Sequence, residues 1–214
     1  MTEAVIFDLD GIVVDTVPVH FKAWKKMFAR YGVRFTFEDY KEKVDGIPRI
    51  EGARAILRDL DDREIQAAAE EKQSYFREIL DRGEIPVYES TIGLIRQLNS
   101  KKVPVGVISS SKNCAYILKK IKIFDLLDTV VDGTRELRGK PDPEIFLTAS
   151  DELRSSPSGC AVFEDAVLGV MAAKKAGMKV IGIDRYGDPE RLSEADIVLS
   201  DVSEIKIDDL MKIA

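Results

Sequence analysis

The stretch Ala4-Val5-Ile6-Phe7-Asp8-Leu9-Asp10-Gly11 decides the reading of this chain. Four apolar residues that run into two acids and a glycine are the pattern of a buried strand ending in a turn. Outward from it, the period changes. Val17, Phe21, Trp24, Phe28 and Tyr31 recur every three or four residues, which predicts an amphipathic helix. Segments 36–44, 49–60 and 63–82 also read as helical, the last being rich in Ala, Glu, Gln and Lys.

After Pro86, strand and helix alternate. Strands are expected over 103–108, 129–131, 161–163, 180–183 and 197–199, with helices over 112–121, 143–153 and 166–176. That βαβ rhythm predicts a parallel sheet of five to six strands. Asp142 and Pro143 supply a capping acid and a first-turn proline, and Gly177 supplies a helix stop. The expected organisation is an α/β core made of residues 1–16 and 83–214, interrupted by an all-helical insert over 17–82.

Composition narrows the partners. The 214 residues are 45% apolar, enough for a packed core, and carry a net charge of −6. That balance argues against a broad phosphate-backbone-binding surface, so nucleic acid is not expected as a partner. No apolar run approaches the ~18 residues of a membrane span, and the N-terminus enters a strand at once. A cytoplasmic monomer away from membranes is therefore the expectation. Cys114 and Cys160 have no metal-ligand or redox spacing and read as reduced thiols.

Open parallel sheets bind ligands beyond the carboxyl ends of their strands. Those positions here carry Asp8 and Asp10, then Ser109, Ser110 and Ser111, then Glu164 and Asp165, with Lys140 just before a helix start on the same side. Each alone is ordinary: an acidic turn, a serine loop, an acidic first turn. Their order along successive strand ends is what points to chemistry. Asp8 and Asp10, two apart, project to one side of an extended chain. Crowded carboxylates call for a hard cation with oxygen ligands, and Mg²⁺ suits because it keeps waters and shares substrate phosphate. A carboxylate can attack phosphorus, and the charge of the transferring group asks for Lys and hydroxyl contacts, which Lys140 and Ser109 can supply. No Gly-rich phosphate loop is present to suggest nucleotide-driven transfer.

With these motifs the chain resembles the haloacid dehalogenase superfamily over its whole length: Asp8-Leu9-Asp10-Gly11 with Asp15-Thr16, then Ser109, then Lys140, then Glu164-Asp165. The resemblance implies a Rossmann-like core with an inserted helical cap and Asp8 as the nucleophile. It also implies Mg²⁺ held by Asp8, the Asp10 carbonyl and Asp165, with Glu164 a weaker or water-mediated contact. Asp10 would move protons, as an ester leaving group requires.

Within the superfamily the insert is similar to the β-phosphoglucomutase type, through Thr16, His20, Trp24, Gly46, Arg49 and Lys72. That likeness implies substrate contacts from Gly46, Ile47 and Arg49, joined by Ser111, Lys112 and Asn113, with Arg49 taking the non-reacting phosphate of a sugar phosphate. His20, the only histidine, reads either as a packed core residue or, by the resemblance, as a link between Asp10 and Lys72. Asp45, Pro48, Gly52 and Glu89-Ser90 depart from the mutase pattern, so a sugar-phosphate phosphatase stays open as the alternative.

Overall fold

The computed structural model describes residues 1–44, 47–83 and 85–214, and these divide into two compact units: Met1–Asp15 with Pro86–Ala214, and Thr16–Ile85. The larger unit is built on β1 (Ala4–Asp8), β2 (Val105–Ile108), β3 (Thr129–Val131), β4 (Cys160–Glu164), β5 (Lys179–Ile183) and β6 (Ile197–Leu199). All pair in parallel, in the order β3-β2-β1-β4-β5-β6. Strand order reverses between β1 and β4, and this is where an open sheet forms its ligand crevice.

Every residue of β1, β2 and β4 is buried, which explains why these strands read as continuous apolar runs rather than alternating ones. One face of the sheet packs Ala4, Ile6, Val162 and Val180 against Phe146, Ala149, Val170 and Ala173. Those partners lie on α7 (Glu144–Glu152) and α8 (Val167–Lys175). The Phe7 and Phe163 rings of neighbouring strands stack at 4.9 Å. α7 starts one residue later than its sequence suggests, with Pro143 rather than Asp142 at the cap position, and Asp142 Oδ1 accepts from the Glu144 N–H at 3.0 Å.

The second unit is all-helical among its described residues: α1 (Val17–Arg30), α2 (Phe37–Lys43), α3 (Arg49–Ile56) and α4 (Asp62–Asp81). Trp24, Met27 and Phe28 of α1 pack with Ile65, Ala68 and Ala69 of α4 around Phe35 and Tyr40. Capping sets the breaks. Thr36 and Asp39 form a reciprocal capping box before α2, and Asp61 and Glu64 form another before α4. The second box explains why α3 ends at Ile56 rather than at residue 60, because the chain must leave the helix to place Asp61 as a cap.

Periodicity also overlooked α5 (Glu89–Ser100), which buries Ile92, Leu94, Ile95 and Leu98 in the larger unit. Glu89-Ser90, noted in the sequence as a departure from the mutase pattern, opens the first turn of that helix. β2 starts at Val105 rather than 103, after Pro104, whose ring nitrogen cannot donate to a ladder. Among the described residues no helix is long and apolar enough to cross a membrane.

Candidate active site

Sheet register brings the acids together. Phe7 is paired with Phe163 and Asp8 with Ile108. Asp8 therefore leaves β1 level with Glu164 on β4, and one residue before the level of Ser109. All three side chains are buried. Lys140, on the loop before α7, donates from Nζ to Asp8 Oδ1 at 2.6 Å and to Glu164 Oε1. Only 13% of its side chain is exposed. Glu164 Oε2 accepts from the Ala166 N–H at 2.8 Å, so both oxygens of that carboxylate are engaged.

Ser109 stands beside the second acid. Its Oγ donates to Asp10 Oδ2 at 3.2 Å and accepts from the Ser111 N–H at 3.0 Å, while Ser111 Oγ accepts from the Asn113 N–H at 3.2 Å. The serine-rich loop is thus a chain of hydroxyl-to-backbone bonds leading into α6 (Cys114–Lys120). Asn113 is buried and Lys112 exposed. Asp165 lies against Gly11, whose φ is +82°, and a Cβ there would collide with the Asp165 carboxylate. Glycine at position 11 is needed for both reasons.

Charge in this rim is unbalanced. Burial pushes the Asp8 carboxyl well above the usual range, against Lys140 and with help from Glu164, Asp10 and Asp165. Burial likewise lifts Asp165 to about 7, followed by Glu164, with Lys140 opposing. Lys140 is held above the ordinary lysine value although burial opposes its charge, because Asp8 and Glu164 flank it. The neighbouring carboxylates make the local potential negative, which adds to the rise of Asp8 and Asp165 and accounts for that of Lys140.

That donor set fits a hard divalent cation. Among the described residues no three His, Cys, Asp or Glu side chains are already gathered closely enough to hold a metal ion unaided. Magnesium does not need such a cage, since it keeps several waters and takes one or two carboxylates together with substrate phosphate. With both Glu164 oxygens engaged by Lys140 and the Ala166 N–H, the groups that could serve are the Asp8 and Asp165 carboxylates and the Asp10 carbonyl.

The helical unit holds a second polar group. Lys72 Nζ is 2.8 Å from His20 Nδ1 and lies over the rings of Trp24 and Phe76, at 5.0 and 5.1 Å. The His20 ring stacks on Phe76 at 4.3 Å. Burial, then Lys72, lowers the His20 pKa well below its ordinary value, which favours the neutral ring beside the Lys72 ammonium. Burial, then Arg49, lowers Lys72 to about 7. Arg49 opens α3 with its Nε buried and without a hydrogen-bond partner among the described residues. The Thr16 carbonyl accepts from the His20 N–H at 2.8 Å, and Ile47 is exposed. Gly46 and Asp45 lie outside the described residues.

Sequence reading missed two strand-end residues. Asp132, just beyond β3, is buried and accepts from the Thr134 N–H at 3.0 Å. Arg185, just beyond β5, bonds the Gly11 carbonyl. The strand-end criterion that singled out Asp8 and Ser109 applies equally to both positions.

Comparison with known proteins agrees with this architecture. A family model described as haloacid dehalogenase-like hydrolase matches residues 5–183. The chain is 35% identical over 213 residues to a beta-phosphoglucomutase of Bacillus subtilis, across 96% of this chain and 92% of that protein. It is 31% identical over 204 residues to a phosphorylated carbohydrates phosphatase of Thermotoga maritima, across 92% and 90%. The crystal structure of beta-phosphoglucomutase from Clostridium difficile superposes with a TM-score of 0.82 at 30% identity, covering 99% of this chain and 96% of that one. A family match over most of the chain, joined to a relative above 30% identity along nearly its full length, makes this protein an enzyme of the haloacid dehalogenase-like hydrolase family.

Proposed function

We propose that the protein is a Mg²⁺-dependent sugar phosphomutase of the β-phosphoglucomutase type, working through a phosphorylated Asp8. The observation that carries the reading is the contact of the buried Lys140 ammonium with Asp8 and Glu164, beside the Ser109–Asp10 hydrogen bond. An Asp8 oxygen attacks the substrate phosphorus as the bond to the leaving oxygen breaks. Asp10 delivers a proton to that oxygen, then removes one from the hydroxyl that accepts the phosphoryl group from Asp8. Lys140 offsets negative charge on Asp8 and on the transferring group, Glu164 holds Lys140 in place, and Ser109 donates to phosphoryl oxygens. Asp8, the Asp10 carbonyl and Asp165 would hold Mg²⁺, which would supply positive charge for the transferring phosphoryl group.

Substrate choice is assigned to Arg49 with Lys72, His20, Thr16, Gly46 and Ile47 in the helical unit, and to Ser111, Lys112 and Asn113 on the serine loop. Support comes from the unpartnered buried Nε of Arg49, a donor suited to a second phosphate. Hydrolysis of a sugar phosphate is the second reading, favoured by the 31% identity to the phosphorylated carbohydrates phosphatase. Incubation with β-glucose 1-phosphate, Mg²⁺ and a bisphosphate primer separates the two. Glucose 6-phosphate as the product supports the mutase, whereas stoichiometric free phosphate supports the phosphatase.

A further inference from the structure

Arg185 is tied down on several sides within the larger unit. Its Nε donates to the Gly11 carbonyl at 2.9 Å, across 174 residues of sequence. Its guanidinium lies over the Tyr88 ring, 3.7 Å from the centroid. Nη1 stands 3.5 Å from both the Ser200 carbonyl and Asp201 Oδ2, and Ser90 Oγ donates to that same Asp201 oxygen at 3.0 Å. Only 16% of the Arg185 side chain is exposed, and Nη2 is buried with no hydrogen-bond partner among the described residues. A planar, permanently charged fork stacked on an aromatic face has little freedom left, so its one short bond is directional.

What that bond holds is the turn carrying Asp10. The turn closes by its own local bonds: Gly11 N–H to the Val14 carbonyl at 2.8 Å, and the Val13 and Val14 N–H groups to the Leu9 carbonyl at 2.9 and 3.0 Å. Those bonds account for its shape. Bonds from other elements hold the two ends of this segment, the Leu9 N–H to the Ile108 carbonyl at 2.9 Å, Thr91 Oγ1 to the Ile12 carbonyl at 2.7 Å and the Tyr88 N–H to the Val13 carbonyl at 3.0 Å, which leaves the apex at Gly11 to contacts of its own. Asp165 rests against Gly11 on one side, and Arg185 grips the Gly11 carbonyl. Tyr88 shares this neighbourhood: burial, then Asp15, raises its pKa, with Arg185 opposing and Asp165 adding.

We infer that Arg185 is a positioning residue which, by pinning the Gly11 carbonyl on a Tyr88 platform, aims the Asp10 carboxyl at the oxygen it must protonate and backs Asp165. The inference rests on the proposed role of Asp10 as proton donor. A tether of purely structural value would lower stability and slow all substrates alike. Misaiming the proton donor instead penalises substrates whose leaving group needs the proton.

Arg185→Gln and Arg185→Lys are compared with the wild type and with Asp10→Asn. In Arg185→Gln the Gly11, Val13 and Val14 amides should exchange hydrogen about tenfold faster, with β1 amides unchanged, since the turn has lost its contact at the Gly11 apex. Turnover of an alkyl phosphate should fall about 10- to 100-fold with KM held within about twofold, while a nitrophenyl phosphate loses no more than about threefold. Arg185→Lys, which keeps a donor and the charge, should recover part of the loss and covers the case in which the Gln variant does not fold. Unchanged exchange at Gly11 overturns the inference. So does an equal loss on both phosphates while Asp10→Asn still discriminates between them. If Asp10→Asn itself fails to discriminate, the proton-donor role of Asp10 is what falls, and the exchange rates alone then decide whether Arg185 pins the turn.

Discussion

The rim of the sheet and the interior of the helical unit bury charge of opposite sign. At the rim, one ammonium contacts Asp8 and Glu164 with Asp10 and Asp165 close by, and two of these acids, Asp8 and Asp165, are pushed up. In the helical unit Lys72 has a neutral histidine and two aromatic rings as its described partners, and its pKa is pushed down to about 7 with Arg49 contributing. An acid cluster lacks positive charge and a basic cluster lacks negative charge. Those two deficits match the charges of the proposed metal ion and phosphorylated metabolite, and so fit the proposed division of labour, with chemistry at the sheet and recognition in the helices.

The sharpest way to break that division is at the rim. Asp8→Asn should lower turnover by at least about 10⁴-fold, because removing a covalent nucleophile leaves only binding. The melting temperature should hold or rise, since one buried acid is gone from an acid-rich cluster. Phosphate transfer assays with thermal melts on the same sample check both, and full activity would end the covalent mechanism. Asp10→Asn ranks next, with an expected loss of about 10²- to 10⁴-fold on alkyl phosphates and much less on a nitrophenyl phosphate, whose leaving group scarcely needs a proton.

Effects in the helical unit should be smaller and selective. Arg49→Ala is expected to cost about 10- to 100-fold in kcat/KM for a bisphosphorylated sugar, the worth of one charge-assisted hydrogen bond, and little for a simple monoester. Equal losses on the two would remove the recognition role. Lys72 yields the smallest effect, a pH signature. Below pH 7 its ammonium is charged in both folded and unfolded chains, and its burial penalty is fully present. Between about 7 and the ordinary lysine value of 10.5 the unfolded chain holds a proton that the folded chain has released. Stability therefore climbs with pH across that window. Denaturant titrations should show the wild type gaining on Lys72→Met from pH 7 to 10. A constant gap between them would mean that Lys72 keeps its proton.

Much of the rim was legible in the chain itself because strand ends are local events. An apolar run must stop somewhere, and the residue at the stop is its immediate neighbour in the chain, as with Asp8 after Phe7 and Ser109 after Ile108. The parallel sheet could be read from the strand-helix alternation, and the all-helical segment from its period of three to four. Less legible was anything set by competition between neighbours. The end of α3 depended on the Asp61–Glu64 capping box, and α5 starts at Glu89 without a side-chain cap to announce it.

Composition and periodicity determined the fold class and which residues could be reactive, since burial pattern and residue chemistry are properties of short segments. Only the tertiary structure decided what each of the neighbouring acids touches. Glu164 and Asp165 are adjacent in sequence and alike in charge, yet register and the Lys140 contact commit both oxygens of Glu164, while Asp165 rests on Gly11. Tertiary structure also decided that Arg185, 174 residues away, holds the turn bearing Asp10. Such long-range hydrogen bonds leave no periodic trace in the chain, because their partners meet only after the sheet has assembled.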